Sequence, residues 1–260
     1  MTETLSLRAK IEQSPMGAYQ WMIVVMAAIM NLLDGFDVLA LAFTATAIRG
    51  EFGLTGIELG YLLSAGLFGM TAGSLFLAPL ADKIGRRPLL LMAVSLSAIG
   101  MLGSAFISQY QWLGFWRVIT GLGVGGILVG TNVITSEYSS RKWRSFAISV
   151  YAAGFGIGAV LGGMFAVMLQ GEYGWRSVFL AGAILTGLLL VVLFIWLPES
   201  IDFLTSKQPK NAEVRLNLIA KKIGLAGDWK LPAKVEKVKT KLPISQLFSE
   251  KYLHSTLLIW

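Results

Sequence analysis

The sequence predicts an all-α membrane protein built from six transmembrane helices. Of its 260 residues, 55% are hydrophobic and only 14% are charged, whereas a soluble domain carries about 25% charged residues. Six apolar runs each reach or exceed the roughly 20 residues that cross the hydrocarbon core of a bilayer. Backbone groups in lipid must be hydrogen-bonded within their own segment, so each run is predicted to be a helix.

The predicted spans follow a polar N-terminal tail, residues 1–18, which lacks the short apolar core of a cleavable signal peptide. We therefore expect the first span itself to direct insertion. The spans form a predicted bundle over residues 19–198, with individual limits at 19–48, 59–81, 88–107, 112–136, 145–171 and 177–198.

The distribution of basic residues predicts the orientation. The tail and the loops at 82–87 and 137–144 carry eight Lys and Arg residues, while the loops on the other side carry two, Arg49 and Arg176. Because basic loops stay in the cytoplasm, we expect a multi-pass protein of the inner (plasma) membrane with a cytoplasmic N-terminus. The formal net charge of +7 follows from this topology, so no nucleic-acid partner is predicted beside the lipid bilayer.

Residues 199–251 form a predicted cytoplasmic linker with eleven Lys or Arg and six Asp or Glu residues. Short surface helices are expected at 211–223 and 242–248, and residues 234–241 form a basic stripe. Basic clusters beside a membrane commonly lie along anionic headgroups. A regulatory or partner-docking role is the alternative for this segment.

The last residues differ in character from the linker. His254 is expected to be exposed and without a special role, with proton sensing as the second interpretation. Residues 252–260 are apolar and begin a predicted seventh helix, but a segment this short cannot cross a bilayer.

A shift of 90 residues suggests an internal repeat. The implied unit is three helices, and an odd number of helices inverts the orientation of the second copy. Inverted 3+3 repeats characterise one half of a secondary transporter, although chance agreement between Gly-rich helices is the alternative. The matched residues are Tyr61 with Tyr151, Gly66 with Gly156, Gly73 with Gly163, Asp82 with Glu172, and Arg86 with Arg176.

The loop between the second and third spans, residues 80–88, has the sequence Leu-Ala-Asp-Lys-Ile-Gly-Arg-Arg-Pro. Gly85 permits a tight turn, and Pro88 suits the first position of a helix. Asp82 can accept from amide donors or face a positive partner. An ordinary basic loop would explain the charges but not this order of residues.

That order resembles the motif between helices two and three of the major facilitator superfamily, Gly-x-Leu-Ala-Asp-Arg/Lys-x-Gly-Arg-Arg/Lys, with Ala78 in place of the first glycine. The resemblance implies the N-terminal half of a fold of about twelve helices, with an inverted repeat and a need for a C-terminal six-helix half. It also implies conformational gating by Asp82, Gly85, Arg86, Arg87, Glu137 and Arg144. Similar patterns elsewhere in residues 19–200 are Arg117-x-x-x-Gly121, Glu137-Tyr138 followed by Arg141–Arg144, Gly174-Trp175-Arg176 and Leu197-Pro198-Glu199-Ser200.

The fifth span carries Gly154, Gly158, Gly162 and Gly163. A spacing of four places small residues along one face, where another helix can approach closely. We therefore predict a packing role for these glycines. Drug antiporters of the superfamily carry a proline where this chain has Ala159, which disfavours that branch.

Two acids in the first span are the predicted proton site. Asp34 and Asp37 are the only charged residues between 19 and 48, and an acid at that depth costs at least ~2.5–3.5 kcal/mol, so it indicates function. Residues three apart share a helix face, so the pair should titrate as a coupled unit. Asn31 extends the polar stripe, and Gly35 narrows the helix.

The segment Asp34-Gly35-Phe36-Asp37 resembles the Asp-Gly-x-Asp motif of the aromatic acid:proton symporter family within the superfamily. Members of that family import benzoate-like, hydroxybenzoate-like and muconate-like acids. The resemblance implies that Asp34 and Asp37 take part in transport.

Arg117, in the fourth span, is the predicted counter-charge. Its depth differs from that of Asp37 by about 9 Å at 1.5 Å per residue, which a guanidinium side chain can bridge. We expect Arg117 to pair with the acids when they are deprotonated and to bind a substrate carboxylate when they are protonated. The alternative is a static buried ion pair that fixes helix packing.

The predicted function is proton-coupled uptake of a small organic acid anion, aromatic or muconate-like. The sequence contains no nucleotide-binding loop, no catalytic constellation and no cysteine, so neither an enzyme, a cofactor nor a metal site is predicted. The alternatives are a truncated, non-transporting fragment and a carrier of a different solute, such as a sugar or another organic anion.

Overall fold

The computed structural model describes residues 6–225, 227 and 229–231. Nine α-helices account for most of this part of the chain. Their limits are α1 (Leu7–Gln13), α2 (Ala18–Phe52), α3 (Gly56–Ile84), α4 (Arg86–Ala105), α5 (Tyr110–Tyr138), α6 (Arg144–Tyr173), α7 (Arg176–Trp196), α8 (Ile201–Lys207) and α9 (Ala212–Lys222).

Helices α2 to α7 are long and apolar enough to cross a membrane, which confirms the six predicted spans and the all-helical fold class. Helix α2 has 35 residues and continues beyond the predicted end at residue 48. It ends where Gly53 adopts the left-handed conformation, with φ of 64°. Helix α7 ends at Trp196, before the predicted limit, because Leu197 precedes Pro198 and a residue before proline disfavours helical geometry.

The turn between α3 and α4 depends on glycine, as predicted. Gly85 has φ of 105°, a conformation that other residues rarely adopt. Pro88, however, occupies the third position of α4 rather than the first, since Arg86 and Arg87 are already helical. The proline fits there because the first four N–H groups of a helix have no intrahelical partner.

Glycines bring α2 and α6 into backbone contact. A Cβ atom at Gly154 or Gly158 would overlap the backbone of Ala28 or Leu32, and one at Gly162 would overlap Phe36. The predicted packing role of this glycine row is therefore confirmed. Helices α3 and α5 meet in the same way, through glycines on both partners.

The register of the predicted repeat needs a correction of one residue within the helices. Gly66 lies at the α3–α5 contact, where a Cβ on Gly121 would overlap its carbonyl oxygen, whereas a Cβ on Gly156 would meet no described atom within 4 Å. The match of Gly66 with Gly156 is therefore wrong. It aligned two identical residues, of which Gly66 lies at a helix contact and Gly156 does not. The corresponding contact glycines are 89 residues apart, namely Gly69 with Gly158 and Gly73 with Gly162.

Short helices pack under one end of the bundle. Buried side chains of α1, α8 and α9, among them Leu7, Leu204 and Leu216, join one apolar cluster with the transmembrane helices. Helix α9 agrees with the expected helix at 211–223, while α1 corrects the expectation of a merely polar tail and α8 was not predicted. The predictions for 234–241, 242–248, His254 and 252–260 lie outside the described residues.

Candidate proton and anion site

Asp34 and Asp37 lie in the middle of α2 and are almost fully buried, with exposures of 2% and 1%. One oxygen of each carboxyl group, Oδ2 of Asp34 and Oδ1 of Asp37, has no hydrogen-bond partner among the described residues. Burying a polar atom without a partner costs free energy. Such atoms in a membrane-spanning helix therefore make the two carboxyl groups candidates for binding a proton or a ligand.

The other oxygen of Asp37 is held by a neighbouring helix. Oδ2 accepts a hydrogen bond of 2.6 Å from the hydroxyl group of Ser97, a fully buried residue of α4. Sequence reasoning missed Ser97, because nothing in the sequence distinguishes it from the other serines of the third span. Only the packing of α4 against α2 identifies it.

Arg117 of α5 is 3% exposed and is oriented by several groups. Its Nη2 donates to Ser104 Oγ and Thr120 Oγ1, both at 3.0 Å, and also lies 3.0 Å from the sulfur of Met101. The guanidinium carbon lies 4.8 Å from the centre of the Phe179 ring, a cation–π distance. Nε has no partner among the described residues.

The structure brings Arg117 to Asp37, as predicted, but through the main chain. Nη1 of Arg117 donates to the carbonyl oxygen of Asp37 at 3.3 Å. In the part of the chain that the structure describes, no ion pair joins Arg117 to Asp34 or to Asp37. The guanidinium of Arg117 and the carboxyl group of Asp37 are thus neighbours, and each keeps a polar atom without a partner among the described residues.

Asn31 lies one turn before Asp34, and its buried Oδ1 also has no hydrogen-bond partner among the described residues. Its Nδ2 donates to the carbonyl oxygens of Tyr151 and Ala152 on α6, at 2.8 and 3.4 Å. The amide of Asn31 therefore links α2 to α6, and the structure does not bring it together with Arg117. The polar residues of α2 thus contact different helices. Asn31 contacts α6, whereas Asp37 contacts α4 and α5.

A cavity of about 140 Å³ adjoins Asp37 and Arg117. It lies between α2, α3 and α5, and Thr120 is the neutral hydrogen-bonding side chain in its described lining. The remaining wall is apolar and consists of Val38, Leu39, Leu41, Ala42, Leu62, Leu63, Gly66, Leu67, Met70, Gly121 and Val124. A negatively charged group could meet Arg117 here while an apolar body contacts the wall.

The predicted gating residues lie in a network of hydrogen bonds that joins the helix ends at the opposite end of the bundle from the loop between α2 and α3. Arg86 donates to Asp82 at 2.8 Å, an exposed pair one turn apart. The carboxylate of Glu199 accepts from the main-chain N–H groups of Arg86 and Arg87, at 2.8 and 3.1 Å. It therefore caps the N-terminus of α4, where a negative charge is favourable.

Glu137 likewise caps the N-terminus of α8. Its carboxylate accepts from Ser200 Oγ and from the N–H of Ile201, at 2.8 and 2.9 Å. Arg144 contacts neither of the helix-capping acids and instead donates to Glu12 of α1 at 2.7 Å. This hydrogen bond holds the pKa of the Glu12 carboxyl group below its ordinary value.

Sequence reasoning missed Glu12 and the capping function of Glu199. The motif Leu-Pro-Glu-Ser at 197–200 did point to the position of Glu199. Its partner, the N-terminus of α4, is 112 or 113 residues away in the chain and could not be identified from spacing.

Comparisons with known proteins agree with this fold. Residues 27–260 match the family model of the Major Facilitator Superfamily. The gallate transporter of Pseudomonas putida is 34% identical over 250 residues, covering 96% of this chain and 56% of that protein. The 4-hydroxybenzoate transporter PcaK of the same organism is 33% identical over 261 residues, covering 99% of this chain and 58% of that protein.

A solved structure shows the same fold at lower sequence similarity. The partially occluded, inward-open xylose transporter XylE from E. coli is 22% identical and has a TM-score of 0.69. The match covers 78% of this chain and 55% of that chain.

The chain belongs to the Major Facilitator Superfamily. It corresponds to the N-terminal half of the fold and spans somewhat more than half the length of the curated relatives it matches. Those relatives are named as transporters of aromatic acids, which agrees with the resemblance found at Asp34-Gly35-Phe36-Asp37. The family is one of transporters rather than of enzymes.

Proposed function

We propose that the complete protein imports a small organic acid anion, aromatic or muconate-like, together with protons. One observation carries this proposal, namely that the buried carboxyl group of Asp37 and the buried guanidinium of Arg117 adjoin a cavity inside membrane-spanning helices, with the buried carboxyl group of Asp34 one turn away on α2. Intramembrane acids of this kind mark proton relays and substrate paths.

The unpartnered atoms suggest how the site works. Protons entering from outside neutralise Asp34 and Asp37, which removes the negative charge that would repel an incoming anion. The substrate carboxylate then binds to Arg117, whose Nε lacks a partner, because carboxylates bind arginine strongly and often at two atoms. Release of the protons to the cytoplasm restores the repulsion and expels the anion inward.

The cavity wall and the relatives support the proposed substrate class. An aromatic ring or a short unsaturated chain can contact the apolar wall while its carboxylate meets Arg117. The names of the similar proteins, gallate and 4-hydroxybenzoate transporters, support an aromatic acid.

A sugar carrier is the alternative solute class, since a xylose transporter shares the fold. A site that selects a sugar must hydrogen-bond the hydroxyl groups of its substrate. The described part of the cavity wall offers Thr120 as its neutral polar side chain, which favours an acid over a sugar.

Transport in this proposal requires a C-terminal six-helix half that rocks against the helices described above. The protein lies in the inner membrane with a cytoplasmic N-terminus, as the loop charges favour. The Glu199 cap on α4, the Glu137 cap on α8 and the Asp82–Arg86 pair then hold the cytoplasmic helix ends and rearrange when the site opens inward. The competing proposal is that the 260-residue chain alone is a non-transporting fragment.

The test is uptake of labelled solutes by cells that express the full reading frame. We expect uptake of 4-hydroxybenzoate, benzoate, gallate or muconate that a protonophore abolishes, and no uptake of xylose. Asp34→Asn and Arg117→Ala should abolish uptake without loss of membrane expression, while Arg49→Ala, a change outside the site, should leave it intact. Xylose uptake, or unchanged acid uptake by Arg117→Ala, would contradict the proposal.

A second experiment addresses the fragment alternative. Purified 260-residue chain in liposomes should take up none of these acids, while the full-length protein should. Proton-driven uptake by the 260-residue chain would show that one half suffices and would contradict the required second half.

A further inference from the structure

Three serines of α4 differ in what their hydroxyl groups do. Ser95 donates to the carbonyl oxygen of Leu91, and Ser104 donates to that of Gly100, each one turn back on the same helix. This local bond is an ordinary use of serine in a transmembrane helix. Ser97 instead donates to the carboxylate of Asp37 on α2, at 2.6 Å.

The position of Ser97 is fixed by the packing of α4 on α5. A Cβ atom at Gly123 of α5 would overlap the carbonyl of Ala93 and lie 2.6 Å from the main-chain nitrogen of Ser97. The two backbones therefore touch at the level of Ser97. Ser97 is fully buried, so its hydroxyl group reaches Asp37 from a rigid position.

We propose that Ser97 is a positioning residue that holds Oδ2 of Asp37, stabilises its deprotonated form and leaves Oδ1 as the place where the proton binds. This inference rests on the proposed proton role of Asp37. A hydrogen bond donated to a carboxylate favours the charged form over the neutral form. The Ser97 hydroxyl thereby sets the pH at which Asp37 gives up its proton.

The other groups around Asp37 do not replace this bond. The charged neighbours are Asp34, one turn away on α2, and Arg117 of α5, which donates to the main chain of Asp37 and not to its carboxylate. Helix α7 packs against Asp37 at Gly182, and a Cβ atom placed on that glycine would lie 3.3 Å from Oδ1 of Asp37. Among the described contacts, the hydrogen bond to the side chain of Asp37 comes from Ser97 alone.

The test follows the protonated-carboxyl band in infrared spectra of the purified full-length protein in liposomes over a series of pH values. Asp37→Asn identifies the part of the band that belongs to Asp37. In Ser97→Ala the titration midpoint of the Asp37 part of the band should move to higher pH by about one to two units. This shift is the effect of losing a hydrogen bond to a charged group. Ser95→Ala is the matched control and should not move the midpoint, because its hydroxyl bonds within α4.

Proton-driven uptake, measured on the same variants, should show the same alkaline shift of its pH profile in Ser97→Ala. A midpoint that stays in place or falls in Ser97→Ala overturns the role of Ser97, while the proton role of Asp37 stands. If no part of the wild-type band disappears in Asp37→Asn, both the role of Ser97 and the proton role of Asp37 are overturned. The two failures are therefore distinguishable.

Discussion

Replacement of Arg117 by lysine or alanine tests the anion-binding part of the proposed mechanism. Arg117 holds its place through Ser104, Thr120 and the carbonyl of Asp37. Lysine keeps a positive charge but lacks the planar fork that spans several partners at once. We therefore expect both variants to lose substrate affinity, and alanine to lose more.

The expected effect of Arg117→Ala falls on substrate binding and not on folding. Ser104 and Thr120 also donate to main-chain carbonyls of their own helices, Gly100 and Trp116, so both hydroxyl groups keep a partner when the guanidinium is removed. The fold should survive, while the substrate carboxylate loses a charge-assisted hydrogen bond of ~1.5–3 kcal/mol. This loss corresponds to a dissociation constant roughly 10- to 150-fold higher for Arg117→Ala.

Isothermal titration of the full-length protein with 4-hydroxybenzoate measures this constant, and the thermal unfolding temperature of each variant checks the fold. Arg49→Ala is the control for the loss of one arginine outside the site. Wild-type affinity in Arg117→Ala would refute the assignment of the substrate carboxylate to this residue.

Three further predictions concern the fold and the end of the bundle where α1 and α8 pack. Gly158→Leu forces a side chain into the backbone of Leu32 and should lower the unfolding temperature sharply, whereas leucine at Gly156, where nothing described lies within 4 Å, should not. Glu199→Ala removes the cap on α4 and should destabilise the protein by about 1–3 kcal/mol, measured by denaturant unfolding; equal stability would contradict the cap. The Glu12–Arg144 pair, whose hydrogen bond lowers the pKa of Glu12, stabilises the fold at neutral pH, and its coupling energy of ~0.2–1 kcal/mol in a double-mutant cycle should vanish as the pH falls through that lowered pKa.

Much of the fold could be predicted from the sequence because the bilayer imposes it. Six apolar runs had to become six helices, and the part of the chain that the structure describes contains six helices of that length and composition. Their ends were less predictable, since they depend on local geometry such as the left-handed Gly53 that ends α2. The short helices α1 and α8 were missed because packing against the bundle, and not their own length, stabilises them.

The site could be predicted in part. Asp34, Asp37 and Arg117 stand out in the sequence because charge is costly in the membrane. Ser97 does not, because a serine carries no charge and only the three-dimensional contact gives it a role. The contact of the Asn31 amide with α6 could not be predicted from the spacing of polar residues on α2.

Substrate-dependent proton entry into liposomes containing the full-length protein tests the central claim most directly. An internal pH-sensitive dye should report acidification when 4-hydroxybenzoate is added outside, in step with uptake of the labelled acid. In Asp37→Asn both signals should disappear while the protein remains folded. Acid uptake without proton entry in the wild-type protein, or proton-coupled uptake that persists in Asp37→Asn, would contradict the account.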